Sequence, residues 1–183
     1  MRTAATHLIT GGTGGLGLLT ARWLGQHGAR DLVLCSRSGT MARDVVIEQE
    51  QLQASSAAVI VERCDTSEDA HVRRLMALGH RLSPVAGVWH AAGVLADGVL
   101  PGQSAMTLAR VCAPKAQGAS ALHLGGALQA QSTSVLFSSV AALLGGAGQS
   151  NYSAANAWLD ALSVLEGTHG RGSVCVQRSL IHI

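Results

Sequence analysis

Short apolar runs alternate along this chain with longer segments in which apolar residues recur at helical spacing. The short runs are centred on consecutive apolar residues rather than on alternating ones, which is typical of strands that a parallel sheet buries on both faces. They predict six strands, at residues 6–10, 31–36, 57–63, 86–91, 134–139 and 173–177.

The longer segments predict helices at about 16–27, 42–54, 66–78, 114–129 and 152–166. Gly28 follows the first helix and ends it. Thr66, with Asp69 three residues later, has the pattern of a capping box at the start of the third helix. Parallel strands joined by right-handed helical crossovers give a doubly wound, Rossmann-like α/β sheet of about six strands.

Composition narrows the class of protein. A length of 183 residues without a linker or a repeat predicts one domain over residues 1–183, and 48% hydrophobic against 13% charged residues excludes a disordered chain. The net charge of +2, without a basic tract or interleaved aromatics, argues against a nucleic-acid partner. Neither a signal peptide nor an apolar run of membrane-spanning length is present, which predicts a cytoplasmic protein without a membrane partner.

The spacing of the cysteines and histidines matches neither a metal-binding motif nor a redox motif. Cys35, Cys64, Cys112 and Cys175 form no C-x-x-C pair, and the eight histidines are scattered. This predicts a reducing compartment and no metal site.

A glycine-rich stretch, "TGGTGGLG", lies between the first predicted strand and the first predicted helix. Glycines let the backbone approach a pyrophosphate, and the helix N-terminus offers N–H groups to it. This context predicts a dinucleotide site; the alternative is a flexible loop without a ligand. The candidate residues are Thr10, Gly11, Thr13, Gly14, Gly15, Leu16 and Gly17.

The end of the second strand indicates which dinucleotide binds. NAD sites usually place an acidic residue about 20 positions after the glycines. Arg37, preceded by Ser36, stands there instead, and no acidic residue occurs between Leu32 and Ala42. A cation suits a 2′-phosphate, so we expect NADPH; the alternative is an ordinary surface arginine.

Three motifs together resemble a known family. "TGGTGGLG" has the T-G-x-x-x-G-x-G form of short-chain dehydrogenases/reductases, and "HAAGVLADG" looks like that family's turn after the fourth strand. "FSSVAALLGGAGQSNYSAANAWLDAL" is closely similar to the ketoreductase domain of modular type I polyketide synthases and animal-type fatty acid synthases. The similarity runs from Thr6 to about Gln177, with the motifs in matching order and spacing.

The resemblance implies a catalytic set. Ser139 lies 13 residues before the only tyrosine, Tyr152. Most of the superfamily has lysine four residues after that tyrosine, where this chain has Asn156. Synthase ketoreductases instead carry the lysine 37 residues before it, which is the position of Lys115, the only lysine here. Taken singly, these residues would be ordinary packing, capping or surface residues; their shared spacing favours one site.

The chemistry explains that set. A free tyrosine has a pKa of about 10 and is a sluggish acid at neutral pH. An adjacent ammonium group, from Lys115, stabilises the phenolate left behind. Ser139 would hydrogen-bond the substrate carbonyl, and the resemblance gives Asn156 the role of holding a water or a backbone group in a proton relay.

Further cofactor contacts are implied by the resemblance. Asp65, preceded by Cys64, matches the aspartate that contacts the adenine amine, although a helix-capping role is an alternative. Ala91, Ala92 and Gly93 match the small-residue turn that lets the cofactor ribose approach the backbone.

The resemblance also implies a substrate and a stereochemical course. Leu95-Ala96-Asp97 resembles the L-x-D element of B-type ketoreductases, with one aspartate replaced by Ala96, and Leu144 stands where A-type enzymes have tryptophan. A B-type enzyme yields 3R products. The implied substrate is a β-ketoacyl thioester on an acyl carrier protein, with other synthase domains in a larger polypeptide.

Relative to the family, the chain is expected to be C-terminally incomplete, truncated after the sixth strand at about residue 177, and to lack the structural half. Two functions therefore stay open: an NADPH-dependent B-type β-ketoacyl reductase, or a truncated, inactive NADPH-binding or structural fragment of a synthase. An epimerase on the same fold is a weaker third, because it would not need the relocated lysine.

Overall fold

The computed structural model describes residues 5–42, 45–125 and 132–179. Its centre is a six-stranded parallel sheet. The strands are β1 (Thr6–Thr10), β2 (Asp31–Ser36), β3 (Ala58–Arg63), β4 (Val85–His90), β5 (Thr133–Ser139) and β6 (Ser173–Arg178). They lie in the order β3-β2-β1-β4-β5-β6. The chain winds outward to β3 and then back past β1 to β6, so the predicted doubly wound sheet is confirmed.

Helices cover the sheet. They are α1 (Gly15–Gln26), α2 (Val46–Gln53), α3 (Asp69–Leu82), α4 (Ala105–Cys112), α5 (Gly118–Leu124), α6 (Ala141–Leu144) and α7 (Ser150–Thr168). A short 3₁₀ turn spans Leu100–Gly102, and a π-helical turn, Ala113–Gln117, joins α4 to α5. In the part of the chain that the structure describes, no helix is long and apolar enough to cross a membrane.

Neighbouring residues of each strand enter opposite sides of the core. Ile9 packs with α1 and α2, whereas Leu8 packs with α3 and α5. A third cluster joins Leu136 of β5 to Leu159 of α7. Each fully buried leucine stabilises the fold by about 1.5–3 kcal/mol, so the alternation fixes which face every strand presents.

The prediction of one helix over 114–129 is wrong in its start and in its regularity. Helical structure begins at Ala105, because Ser104 and Thr107 form a reciprocal capping box with bonds of 3.2 and 2.9 Å. Pro114 lies inside the helical segment, where the π turn accommodates its missing N–H. Residues 126–129 of the prediction lie outside the described residues.

The predicted capping box at Thr66 is also wrong. Helix α3 begins at Asp69 with Glu68 as its N-cap. Thr66 is buried, and its hydroxyl donates to the carbonyl of Pro114 at 3.4 Å. A cap pattern read from sequence could not anticipate this contact between distant segments.

Candidate active site

The carboxyl ends of the strands bring the predicted residues to one edge of the sheet. The glycine-rich loop follows β1, Arg37 follows β2, Asp65 follows β3, and the small-residue turn at 91–93 follows β4. Ser139 is the last residue of β5. In an open parallel sheet, this edge at the reversal of strand order is where ligands bind.

The glycine-rich loop is tight because three of its positions, Gly11, Gly12 and Gly17, leave no room for a side chain. Gly11 has φ of +65°, and a Cβ there would lie 2.8 Å from the carbonyl carbon of Ala91. A Cβ on Gly17 would lie 2.2 Å from the Gly11 oxygen. The N-cap of α1, Gly14, offers no capping side chain, so the first-turn N–H groups remain for an anion.

A cavity of about 320 Å³ lies against this loop. Every predicted cofactor residue except Thr10 lines it. The lining also includes four residues that the sequence did not single out: Cys35, Thr66, Val94 and Pro114. A glycine cradle, a helix N-terminus and an arginine in one cleft fit a dinucleotide with an extra phosphate.

Asp65 lies close to Arg37 in this cleft. Burial would raise the pKa of Asp65, but hydrogen bonds from the Ser67 backbone N–H (3.0 Å) and hydroxyl (2.7 Å), together with the charge of Arg37, lower it overall. Asp65 is therefore ionised at neutral pH. It makes a local turn with Ser67 and does not cap α3.

Thr10 stands apart from the other predicted cofactor residues. It is fully buried, and its hydroxyl lies 2.7 Å from Nδ1 of His90. The backbone N–H of Ala92 also reaches that hydroxyl, at 3.4 Å. Thr10 therefore ties β1 to the turn after β4 and does not line the cleft.

A second cavity, of about 530 Å³, adjoins the first and shares Leu16, Ala91, Gly93 and Val94 with it. It extends along residues of β5, β6 and α7. Its remaining lining residues are Leu95, Lys115, Phe137, Ser138, Tyr152, Arg178 and Ser179. The two cavities together offer a continuous cleft, with the tyrosine and the lysine in its second part.

Lys115 and Tyr152 lie together, as the resemblance implied. The Lys115 Nζ is 5.5 Å from the centre of the Tyr152 ring and donates to the Phe137 carbonyl at 2.9 Å. Gly93 gives the lysine stem its room, since a Cβ there would lie 3.0 Å from the Lys115 Cε. Only 5% of Lys115 is exposed.

Burial changes the titration of this lysine. It lowers the pKa of Lys115 from 10.5 to about 8, while the nearby Cys175 and Asp160 act in the opposite direction. Asp160 accepts a hydrogen bond from the Cys175 thiol at 2.9 Å. At neutral pH the lysine therefore keeps its charge, beside the ring of Tyr152.

Neither Ser139 nor Asn156 lines the cavity, although Asn156 is bonded to Tyr152. The Ser139 Oγ accepts the Ala141 N–H at 3.1 Å, and it is the neighbouring Ser138 that lines the cleft. Asn156 is fully buried and donates from Nδ2 to the Tyr152 carbonyl at 2.8 Å. Its Oδ1 has no hydrogen-bond partner among the described residues.

Three contributors to the site escaped the sequence reasoning. The Phe137 carbonyl, which accepts a hydrogen bond from Lys115, could not be singled out from sequence, because every residue has a carbonyl group. Ser138 was not singled out, because only Ser139 has the family's spacing to the tyrosine; the contacts of Ser138 with the cavity and with the Asn156 carbonyl depend on the fold. His90 begins the quoted turn, but its burial between two segments depends on the fold.

Known proteins resemble the whole chain. The family model described as KR domain matches residues 5–182. Polyketide synthase GfsB from Streptomyces halstedii is 43% identical over 173 residues, which cover 94% of this chain and 3% of that synthase.

Two solved ketoreductases share the fold. An A-type ketoreductase from a modular polyketide synthase superposes with a TM-score of 0.88 at 34% identity, covering 96% of this chain and 38% of the other. The ketoreductase from the first module of phoslactomycin biosynthesis in Streptomyces sp. HK803 gives 0.85 at 37% identity, covering 97% and 42%. The chain thus spans less than half the length of each.

Proposed function

This chain belongs to the KR domain family, the polyketide synthase ketoreductases of the short-chain dehydrogenase/reductase superfamily, and on that premise we propose that it reduces a β-ketoacyl thioester with NADPH. The proposed substrate is carried on an acyl carrier protein. The chain would act as one NADP-binding catalytic domain, beside other domains of a larger synthase, as its similarity to a small part of GfsB suggests.

The main support for this proposal is the Lys115–Tyr152 pair, which lies at the far end of the cleft that begins at the glycine-rich loop. The sole lysine and the sole tyrosine lie on separate helical segments, yet Nζ comes within 5.5 Å of the ring centre. Both line the cavity that continues from the glycine-rich loop. A buried cation beside a phenol supports proton donation by that phenol.

In the proposed mechanism, the chain orients the ketone and supplies a proton. The bound nicotinamide would supply a hydride to the carbonyl carbon. Tyr152 would give its hydroxyl proton to the carbonyl oxygen, and the Lys115 ammonium would stabilise the phenolate that remains. Ser139 does not line the cavity in this structure, so the proposed bond from its O–H to the ketone oxygen requires the side chain to turn toward the cleft; its Oγ accepts the Ala141 N–H, which leaves the O–H as a donor.

Reprotonation of Tyr152 would then complete the cycle. Asn156 lies one helical turn from Tyr152 and is bonded to its carbonyl. The unpartnered Oδ1 of Asn156 supports the proposal that this amide holds a proton-relay group.

Arg37 supports NADPH as the proposed cofactor. Arg37 lines the dinucleotide cleft beside Ser36, and its positive charge helps to lower the pKa of Asp65 in the same cleft. A guanidinium can form charge-assisted bonds to a 2′-phosphate, which NADH lacks.

The proposal is tested by turnover of the unsubstituted chain. NADPH carrying deuterium at the transferred position is incubated with an acetoacetyl thioester of N-acetylcysteamine, and the product is analysed by mass spectrometry. We expect thioester-dependent loss of NADPH absorbance and one deuterium at the β-carbon of a hydroxyacyl product. NADPH binding without any such product would contradict the reductase function and leave a cofactor-binding fragment.

A further inference from the structure

His90, the last residue of β4, is buried completely between the glycine-rich loop and the turn that carries Lys115. Its Nδ1 lies 2.7 Å from the Thr10 hydroxyl, and its Nε2 lies 3.1 Å from the Lys115 carbonyl oxygen. It lines neither cavity of the cleft. His90 can therefore influence the site only through these neighbours.

The partners of His90 determine its tautomer. A carbonyl oxygen can only accept, so Nε2 carries the hydrogen and donates it to Lys115. Nδ1 then accepts from the Thr10 hydroxyl, whose oxygen accepts the Ala92 N–H. Burial, with the nearby charge of Lys115, lowers the pKa of His90 to about 4. The imidazole is thus neutral at neutral pH, and every one of its polar atoms has a partner.

The carbonyl that His90 holds belongs to an irregular turn. In the π turn, the Gly118 N–H bonds to the carbonyls of Ala113 and Lys115. The space around it is filled, since a Cβ on Gly118 would lie 3.2 Å from the His90 Cε1 and 2.6 Å from the Thr66 Oγ1. A π turn in mid-helix is a costly local geometry that surrounding contacts must hold in place.

We propose that His90 is a positioning residue, whose neutral imidazole fixes the Lys115 backbone and thereby keeps the Lys115 ammonium beside Tyr152. This role rests on the proposed reductase function for its catalytic consequence. The placement of Lys115 itself can be measured without turnover. His90 would also link that placement to the glycine-rich loop through Thr10.

The test compares two substitutions of His90 with a matched control. His90→Phe keeps an aromatic ring, although a larger one, and removes both nitrogens. His90→Gln keeps an amide N–H that can reach the Lys115 carbonyl. The control, His80→Phe, makes the same change at an exposed position of α3.

Turnover is measured first, with the thioester assay. Since misplacement of a group by an ångström can cost about 100-fold, we expect His90→Phe to lower kcat about tenfold to 100-fold, with the NADPH Kd changed less than about threefold. His90→Gln should recover most of that loss, and His80→Phe should match the unsubstituted chain.

The second readout is the titration of Lys115, which as the only lysine gives a single signal after ¹³C-lysine labelling. In the unsubstituted chain it should titrate near pH 8, because burial lowers its pKa while Cys175 and Asp160 oppose that decrease. His90 and Tyr152 are further titratable side chains near Lys115. In His90→Phe the midpoint should rise toward the ordinary value of about 10.4 as the ammonium becomes hydrated. His90→Gln should stay close to the unsubstituted value.

The outcomes separate the two proposals. An unchanged Lys115 titration and a kcat within twofold in His90→Phe would overturn the positioning role. Equal loss of turnover in both variants, with Lys115 titrating normally, would also overturn it, because His90 would then serve packing alone. If the unsubstituted chain shows no turnover, the reductase function fails, and the Lys115 titration still decides the positioning claim.

Discussion

Lys115 is a buried cation whose surroundings keep it charged only over part of the pH range. Burial lowers the pKa of Lys115 to about 8, and the Asp160 and Cys175 groups limit that decrease. In the proposed mechanism the ammonium stabilises a Tyr152 phenolate, so the proposed reaction depends on a group that titrates just above neutrality.

The rate of ketone reduction should therefore fall as pH rises through about 8. Below that pH the Lys115 ammonium is present; above it the ammonium is lost, and kcat/KM should decrease about tenfold per pH unit. The measurement is the initial rate of NADPH oxidation from about pH 6.5 to about pH 9.5. Lys115→Met should be slow and should lack this decrease; a flat profile in the unsubstituted chain would contradict the assignment.

Arg37 should determine the choice between cofactors. Arg37→Glu should shift the NADPH-to-NADH ratio of Kd values by about tenfold to 100-fold toward NADH, because a charge-assisted bond to the 2′-phosphate is replaced by repulsion. Fluorescence titration with each cofactor measures the shift. Arg30→Glu makes the same charge change in the exposed loop before β2 and should leave the ratio unaltered. An unaltered ratio in Arg37→Glu would refute the cofactor preference.

At the scale of elements, the strands were predictable and the segment around Lys115 was not. The run 31–36 has four consecutive apolar residues, from Leu32 to Cys35, and the observed β2 matches that prediction. The α4–π turn–α5 segment was predicted wrongly, since Pro114 resembles a helix start in sequence. The π turn accommodates this proline, and Thr66 and His90 bond to the carbonyls of that turn. These contacts depend on the fold and cannot be predicted from local sequence.

The candidate site, like the fold, was predicted from the sequence only in part. The resemblance, with the spacing it rests on, placed Lys115 and Tyr152 in one site, whereas no sequence pattern indicates that Ser138 lines the cleft or that Thr10 bonds to His90. Contacts of that kind depend on the relative placement of elements, which local pattern does not specify.

The turn between β1 and α1 depends on Gly17, which sits against backbone atoms of the loop. Gly17→Ala should lower the free energy of unfolding by about 1–3 kcal/mol, because rigid backbone must move to admit the methyl group. It should also weaken NADPH binding. Gly167→Ala is the matched control: a Cβ there meets nothing within 4 Å in α7, and it should raise stability by up to about 1 kcal/mol. Urea unfolding measures both; equal effects would contradict the close-approach argument.

At the scale of the whole molecule, the loop after β4 is held against the start of α7. Asn151 donates to the Ala96 carbonyl at 2.8 Å, Gln149 donates to Asp97 at 3.1 Å, and the Gly98 N–H bonds to the Gly148 carbonyl at 2.8 Å. This connection carries the L-x-D element to the tyrosine side of the cleft. The cleft thus depends on segments more than 50 residues apart in sequence.

The assembled cleft would determine which face of the ketone receives the hydride, and therefore the configuration of the product. Leu95-Ala96-Asp97, with Leu144 85% exposed where A-type enzymes have tryptophan, leads us to expect a 3R-hydroxyacyl product. Chiral chromatography of the hydrolysed product measures this. A predominantly 3S product would contradict the B-type proposal without affecting the assignment of Tyr152.

The most direct measurement of the central claim is kcat for Tyr152→Phe, which removes one hydroxyl and keeps the ring beside Lys115. We expect kcat to fall about 100-fold to 10,000-fold, as on loss of a general acid, with the NADPH Kd unchanged. Trp158→Phe, at a half-exposed position of the same helix, should keep full activity. Full ketone reduction by Tyr152→Phe would contradict the account.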